Sequence, residues 1–118
     1  YSGSIKKVNE HPDLVINISE DGWFGKSIGP DQHFTKAIYR SIEEGVFIAR
    51  SANMGISAFI SPNGKVIKSL NTEETGNIQL NFPNFYQSTL FSNYGNKIFY
   101  LIIFLYMLLI LIFKKYKI

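Results

Sequence analysis

Apolar residues fall along this chain in three rhythms, and each predicts a different element. Asp13–Ser19, DLVINIS, is a short β-rich run ending in a polar loop, which predicts a buried strand. Phe34, Ala37, Ile38 and Ile42 recur at three- and four-residue spacing, which places them on one face of a helix. Gly29-Pro30-Asp31 marks the start of that helix, with Pro at its first position and an acid in the first turn, and Gly45 marks its stop. Val46–Arg50 and Ile56–Ile60 read as strands joined by Ser51–Gly55. The turn signal SPNG at Ser61–Gly64, followed by Lys65–Ser69, makes Ile56–Ser69 a β-hairpin. Asn77–Asn81 is a last weak strand, and a linker containing Pro and Asn runs from there to Asn96. The order is strand, helix, then several strands, which predicts a mixed α/β layer.

The third rhythm is no rhythm at all: Ile98–Phe113 is 16 residues without a charge, a Gly or a Pro. At about 1.5 Å per residue it covers roughly 24 Å of a hydrocarbon core about 30 Å thick. Lys97 on one side and Lys114, Lys115 and Tyr116 on the other supply the missing length by reaching to the interface. A buried core helix is the alternative, but such helices usually keep a polar stripe. The formal net charge of the 118 residues is +3, and Lys114, Lys115 and Lys117 account for all of it. The basic balance is therefore a cap on an apolar run rather than a nucleic-acid-binding face. The positive-inside rule places that cap in the cytoplasm and Tyr1–Asn96 outside, which in a bacterium is the periplasm. Tyr1–Glu10 has no apolar core of a signal peptide. The chain starts without Met and in mid-pattern, so an N-terminally truncated fragment is expected.

Cysteine is absent, which excludes disulfides and thiolate metal sites. No repeat, P-loop or metal-ligand spacing is present, and His11 and His33 are too far apart in sequence to imply a pair. The loop SEDGWFGKSIGPDQHF, Ser19–Phe34, sets the only Trp of the chain beside Phe24, between Gly22 and Gly25. Two such rings in a polar loop either line a pocket or plug the end of the fold. Arg40 and Glu43 lie one helical turn apart, the spacing of a scaffold salt bridge, and Arg50 is read the same way. Asn53 beside Gly55 organises a turn.

Taken together, NISEDGWFGKSIGPDQHF, YRSIEEGVFIARSANMGISAFISPNGKVI and the terminal apolar run resemble the bacterial apolipoprotein N-acyltransferase family of the carbon–nitrogen hydrolase (nitrilase) superfamily. The resemblance covers essentially all of this chain and about the last quarter of a family protein. Asp21, Gly22, Trp23, Phe24 and Gly25 match the family loop, where Glu20 replaces an amide. Gln32 and His33, then Arg40, Glu43 and Gly45, then Arg50, Asn53 and Gly55, match in the family order, with Met54 where Asn is frequent. Tyr94, Gly95 and Asn96 resemble the step before the last membrane helix.

The resemblance implies the C-terminal part of an α-β-β-α sandwich followed by one transmembrane helix. Its segments are a hydrolase-type domain over 1–88, a linker over 89–97, the helix over 98–113 and a basic cytoplasmic tail over 114–118. It implies Asp21, Trp23, Phe24 and His33 as substrate-pocket candidates. Gly22, Gly25, Arg40, Glu43, Arg50, Asn53 and Gly55 are then structural. The family's Cys nucleophile, Glu base and oxyanion-holding Lys lie upstream of the aligned region, so the fragment alone is expected to be inactive. No metal or organic cofactor is implied. The implied partners are a phospholipid acyl donor and a diacylglyceryl lipoprotein acceptor at the bacterial inner membrane. The rivals are an inactive anchored remnant, a membrane-anchored binding module and an anchored amidase-type hydrolase.

Overall fold

The computed structural model of the chain describes residues 12–81 and 89–116. Strand β1 (Leu14–Glu20) leads through a 3-10 turn (Gly22–Phe24) into helix α1 (Gly29–Glu44). Strands β2 (Phe47–Asn53), β3 (Ser57–Ile60) and β4 (Val66–Leu70) follow, then a short helix α2 (Leu90–Tyr94) and the long helix α3 (Lys97–Tyr116). The fold is mixed α/β, with one four-stranded sheet in the order β1-β2-β3-β4.

β1 and β2 are parallel, in register from Leu14↔Phe47 to Glu20↔Asn53, and α1 is their crossover. β2, β3 and β4 are antiparallel, and the predicted hairpin is β3–β4, with an irregularity at Phe59/Ile60. Side chains alternate between the two faces of each strand. On one face Ala37 of α1 packs with Ile48, Ala58 and Ile60, and Val15, Phe34, Ile38 and Val66 surround them. The predicted helical face of Phe34, Ala37 and Ile38 is therefore the one that meets the sheet. Gly45 ends α1 in the left-handed region at φ 68°, returning its N–H to the Ser41 carbonyl, a conformation that costs a side-chain-bearing residue more than glycine.

The opposite face of the sheet carries no helix among the described residues. Ile16 and Ile18 of β1 are 69% and 83% exposed there. Beside them Leu14, Ala49, Phe59, Leu70 and Ile78 line an open apolar trough.

Three boundaries differ from the sequence reading. Asn77–Asn81 is not a strand: the Gln79 carbonyl accepts from Lys68 Nζ at 2.6 Å, a side-chain bond that builds no ladder. β2 runs on to Asn53 through residues read as a connector, because its parallel pairing with β1 continues to Glu20. The expected linker contains α2, whose N-terminus is a capping box between Thr89 and Ser92. Thr89 Oγ1 also donates to the Glu43 carbonyl, tying α2 to the C-terminal end of α1.

α3 is the one described helix long and apolar enough to cross a membrane, over Lys97–Lys115. None of that span is buried among the described residues. Lys114 and Lys115 stand in its last turn. Lys117 and His11 lie outside the described residues.

Candidate functional site

The C-terminal ends of the parallel strands β1 and β2 meet at Asp21, the first residue past β1. In open α/β sheets this end of the strands is where ligands gather. Asp21 is fully buried. Its Oδ2 accepts from Arg50 Nη2 at 2.7 Å, and its Oδ1 accepts from Ser19 Oγ at 2.6 Å. Oδ1 also lies 2.7 Å from His33 Nδ1. Burial, the largest influence, pushes the Asp21 carboxyl up. The hydrogen bonds from Ser19, His33 and Arg50 and the Arg50 charge together outweigh it, and hold the group below its ordinary 3.8. An ionised carboxylate only accepts hydrogen bonds, so Nδ1 carries the proton of His33.

Arg50 is itself 3% exposed and is held on three sides. Nη1 donates to Asn17 Oδ1 at 2.5 Å and Nε donates to the Ile56 carbonyl at 3.2 Å, beside the Asp21 bond. A guanidinium presents its donors in a rigid planar fork, which suits one residue to three acceptors on different elements. Arg50 is thus the cation of an ion pair in the interior.

A second layer of bonds locks the two loops together. Asp21 N–H donates to the Asn53 carbonyl at 2.9 Å. Glu20 accepts from Gly22 N–H at 2.8 Å with Oε1 and from Asn53 Nδ2 at 2.7 Å with Oε2. Both bonds at Glu20 need an acceptor, so the carboxylate standing in place of an amide is fully used. Met54 takes a left-handed φ of 55° to turn the chain. At Gly55 a Cβ would lie 2.2 Å from Asp21 Oδ2, so only glycine lets the second loop close over the carboxylate.

The predicted pocket residues divide. Asp21 is the buried hub. His33 borders a cleft of about 460 Å³ between β1 and α1, with Val15, Asn17, Lys36, Arg40 and Arg50. Phe24 is 42% exposed, and its ring meets the His33 ring edge-on at 5.8 Å. Trp23 is 85% exposed and is not part of that cleft's lining. Gly22 opens the 3-10 turn and Gly25 closes it, at φ 54°. Arg40 pairs with Glu43 at 3.2 Å, as its spacing predicted, and also lies 3.5 Å from Glu44. Asn17, Ser19 and Glu44 were not singled out from sequence. The one signal for Asn17 and Ser19 is that both alternate with Ile16 and Ile18, which points them at the helix-covered face.

Ser19, His33 and Asp21 are the residue types of a hydrolytic triad, but their arrangement is not one. A triad His bridges Asp and Ser through opposite ring nitrogens. Here Nδ1 faces both Asp21 at 2.7 Å and Ser19 Oγ at 3.3 Å, and the Ser19 hydroxyl donates its hydrogen bond to Asp21. The cluster holds a shape and activates no hydroxyl. No group of three or more His, Asp or Glu among the described residues could hold a metal ion.

The carbon–nitrogen hydrolase family profile matches residues 5–86, most of the chain. The chain belongs to the carbon–nitrogen hydrolase family. Its relatives narrow this further. The apolipoprotein N-acyltransferase of Rickettsia bellii (strain RML369-C) is 44% identical over 101 residues, 85% of this chain and 20% of that protein. That of Rickettsia prowazekii (strain Madrid E) is 42% identical over 81% of this chain and 20% of its own length. The apolipoprotein N-acyltransferase of Bradyrhizobium diazoefficiens is 38% identical over 81% of this chain and 18% of that protein. The chain therefore spans about a fifth of the length of the curated relatives it matches.

Two outcomes follow from the hub. Arg50→Met leaves Asp21 buried without its cation, and should cost about 3–5 kcal/mol, read as a fall in thermal stability. The Asp21 carboxyl is depressed in the folded state, so its contribution is complete above its ordinary titration range and is lost as pH falls through the lower folded value. The melting temperature should hold from neutral pH to about pH 5 and drop below it, with a smaller drop in Asp21→Asn.

Proposed function

We propose that this chain is the C-terminal part of an apolipoprotein N-acyltransferase. The observation that carries the reading is the 38–44% identity, over four-fifths or more of the chain, to proteins of that name. Two features support it. The membrane-crossing helix suits an enzyme whose two substrates are lipids held at a bilayer surface. The open apolar face of the sheet, with Ile16 and Ile18 exposed, suits a chain whose second sandwich layer is supplied by preceding sequence.

In the intact protein a thiolate attacks the ester carbonyl of a phospholipid acyl chain. A thioester forms and the lysophospholipid leaves with the proton. The α-amine of a diacylglyceryl-cysteine then attacks the thioester, forming an amide and returning the thiol. The Cys, its Glu base and the Lys at the oxyanion belong to the preceding sequence, and such acyl transfer needs all three to converge. The described segment contributes the loops at the C-terminal ends of β1 and β2. Trp23, Phe24, Asp21 and His33 border the thioester site there. The exposed ring of Trp23 offers apolar area to an acyl chain, on a backbone that the Asp21–Arg50 pair keeps still. The soluble part stands on the periplasmic side of the inner membrane with the lysine cluster in the cytoplasm.

In the intact protein, Trp23→Ala should slow acyl-thioester formation about tenfold, at near-normal expression. Mass spectrometry of the acylated Cys after mixing with phospholipid measures this, and full activity would make the loop scaffold. Single cysteines at exposed Glu73 and at Lys115, introduced with no other reactive thiol present, report orientation. A membrane-impermeant maleimide should label Glu73→Cys from the periplasm and leave Lys115→Cys unlabelled until the membrane is opened.

A further inference from the structure

His33 touches both ends of the short segment that carries the exposed tryptophan. Its Nδ1 donates to Asp21 Oδ1, at the start of that segment, over 2.7 Å. Its ring meets Phe24, at the end of it, edge-on at 5.8 Å and 66°. Asp21 is immobile, being fully buried and bonded through both carboxylate oxygens. Phe24 is also confined. Its N–H donates to the Asp21 carbonyl at 3.1 Å, and its own carbonyl accepts from Ser27 Oγ at 2.6 Å. Its ring lies so close over Gly29 that a Cβ there would come within 2.4 Å of it. Trp23, between them, is 85% exposed and has no packing of comparable extent to hold it. Its pose is set by its neighbours.

We propose that His33 is a positioning residue: gripping Asp21 and Phe24 together, it fixes the outward pose in which Trp23 meets an acyl chain. The positioning itself rests on the geometry alone, and only the use of Trp23 for an acyl chain rests on the acyltransferase reading. His33 sits on the first turns of α1, so the rigid helix is the mount and the 3-10 turn is the part held. The turn is held in place before any substrate arrives, so binding need not order it.

The two grips can be separated by substitution. His33→Asn keeps a donor near the Nδ1 position and loses the ring. His33→Phe keeps a ring edge for Phe24 and loses the donor, and His33→Ala loses both. The readout is the ¹⁹F resonance of 5-fluorotryptophan at Trp23 in the full-length protein, assigned by its disappearance in Trp23→Phe. A single resonance is expected for the native residue. It should shift and broaden or split in His33→Ala, with smaller changes in His33→Asn and His33→Phe, which also serve if the Ala variant fails to fold. A native resonance in every variant that folds would overturn the proposal. Acyl-thioester formation in the same variants should fall in the order of the spectral change, by up to about tenfold for His33→Ala, the loss expected on removing the Trp23 ring itself. A changed resonance with unchanged acylation would leave the positioning role standing and remove the acyl chain as the partner of Trp23.

Discussion

The ion pair between Asp21 and Arg50 is the constraint on which the functional end of this chain depends. Taking either charge out of water costs several kcal/mol, and the pair repays that cost only if the remaining donors and acceptors are also met. They are met here: Ser19 and His33 complete the carboxylate, while Asn17 and the Ile56 carbonyl complete the guanidinium. No buried side-chain nitrogen or oxygen among the described residues lacks a partner. A network of this kind is worth little as raw stabilisation but has one arrangement that satisfies it. It therefore fixes how the loops after β1 and β2 lie against each other.

The same pair links the fold to the function. α1 covers one face of the sheet with Ala37, Ile38 and Phe34, and its first turns carry His33 to the hub. Parallel pairing of β1 with β2 places Asp21 beside the Asn53 carbonyl, and glycine at position 55 leaves room for the carboxylate. Hydrophobic packing thus sets the layer, and polar closure sets the loop geometry within it. The Ser19–His33–Asp21 cluster is not arranged as a catalytic triad, because Ser19 and His33 donate to the same carboxylate oxygen.

What was legible in the sequence is what depends on local spacing. The one-sided pattern of α1, its glycine stop, the SPNG hairpin and the uninterrupted apolar run of α3 all reappear. Arg40–Glu43 was readable because the partners are three residues apart on a helix. The hub was not readable as a hub. Arg50 and Asp21 are 29 positions apart, and Arg50 and Asn17 are 33 apart, so only the parallel crossover brings them together. Motif resemblance singled out Asp21, His33 and Arg50 without showing that they touch. Asn77–Asn81 failed because a weak alternating pattern does not provide a neighbouring strand to pair with.

The latch of Thr89 onto the Glu43 carbonyl has a mechanical meaning. It joins α2, and the apolar helix α3 that follows it, to one end of α1, while the aromatic turn hangs from the other. Sixteen residues of helix make a beam about 24 Å long, so each degree of rotation delivered at the latch moves the far end by roughly 0.4 Å. The segment leading into α3 is thereby pinned at the end of α1 remote from the aromatic turn.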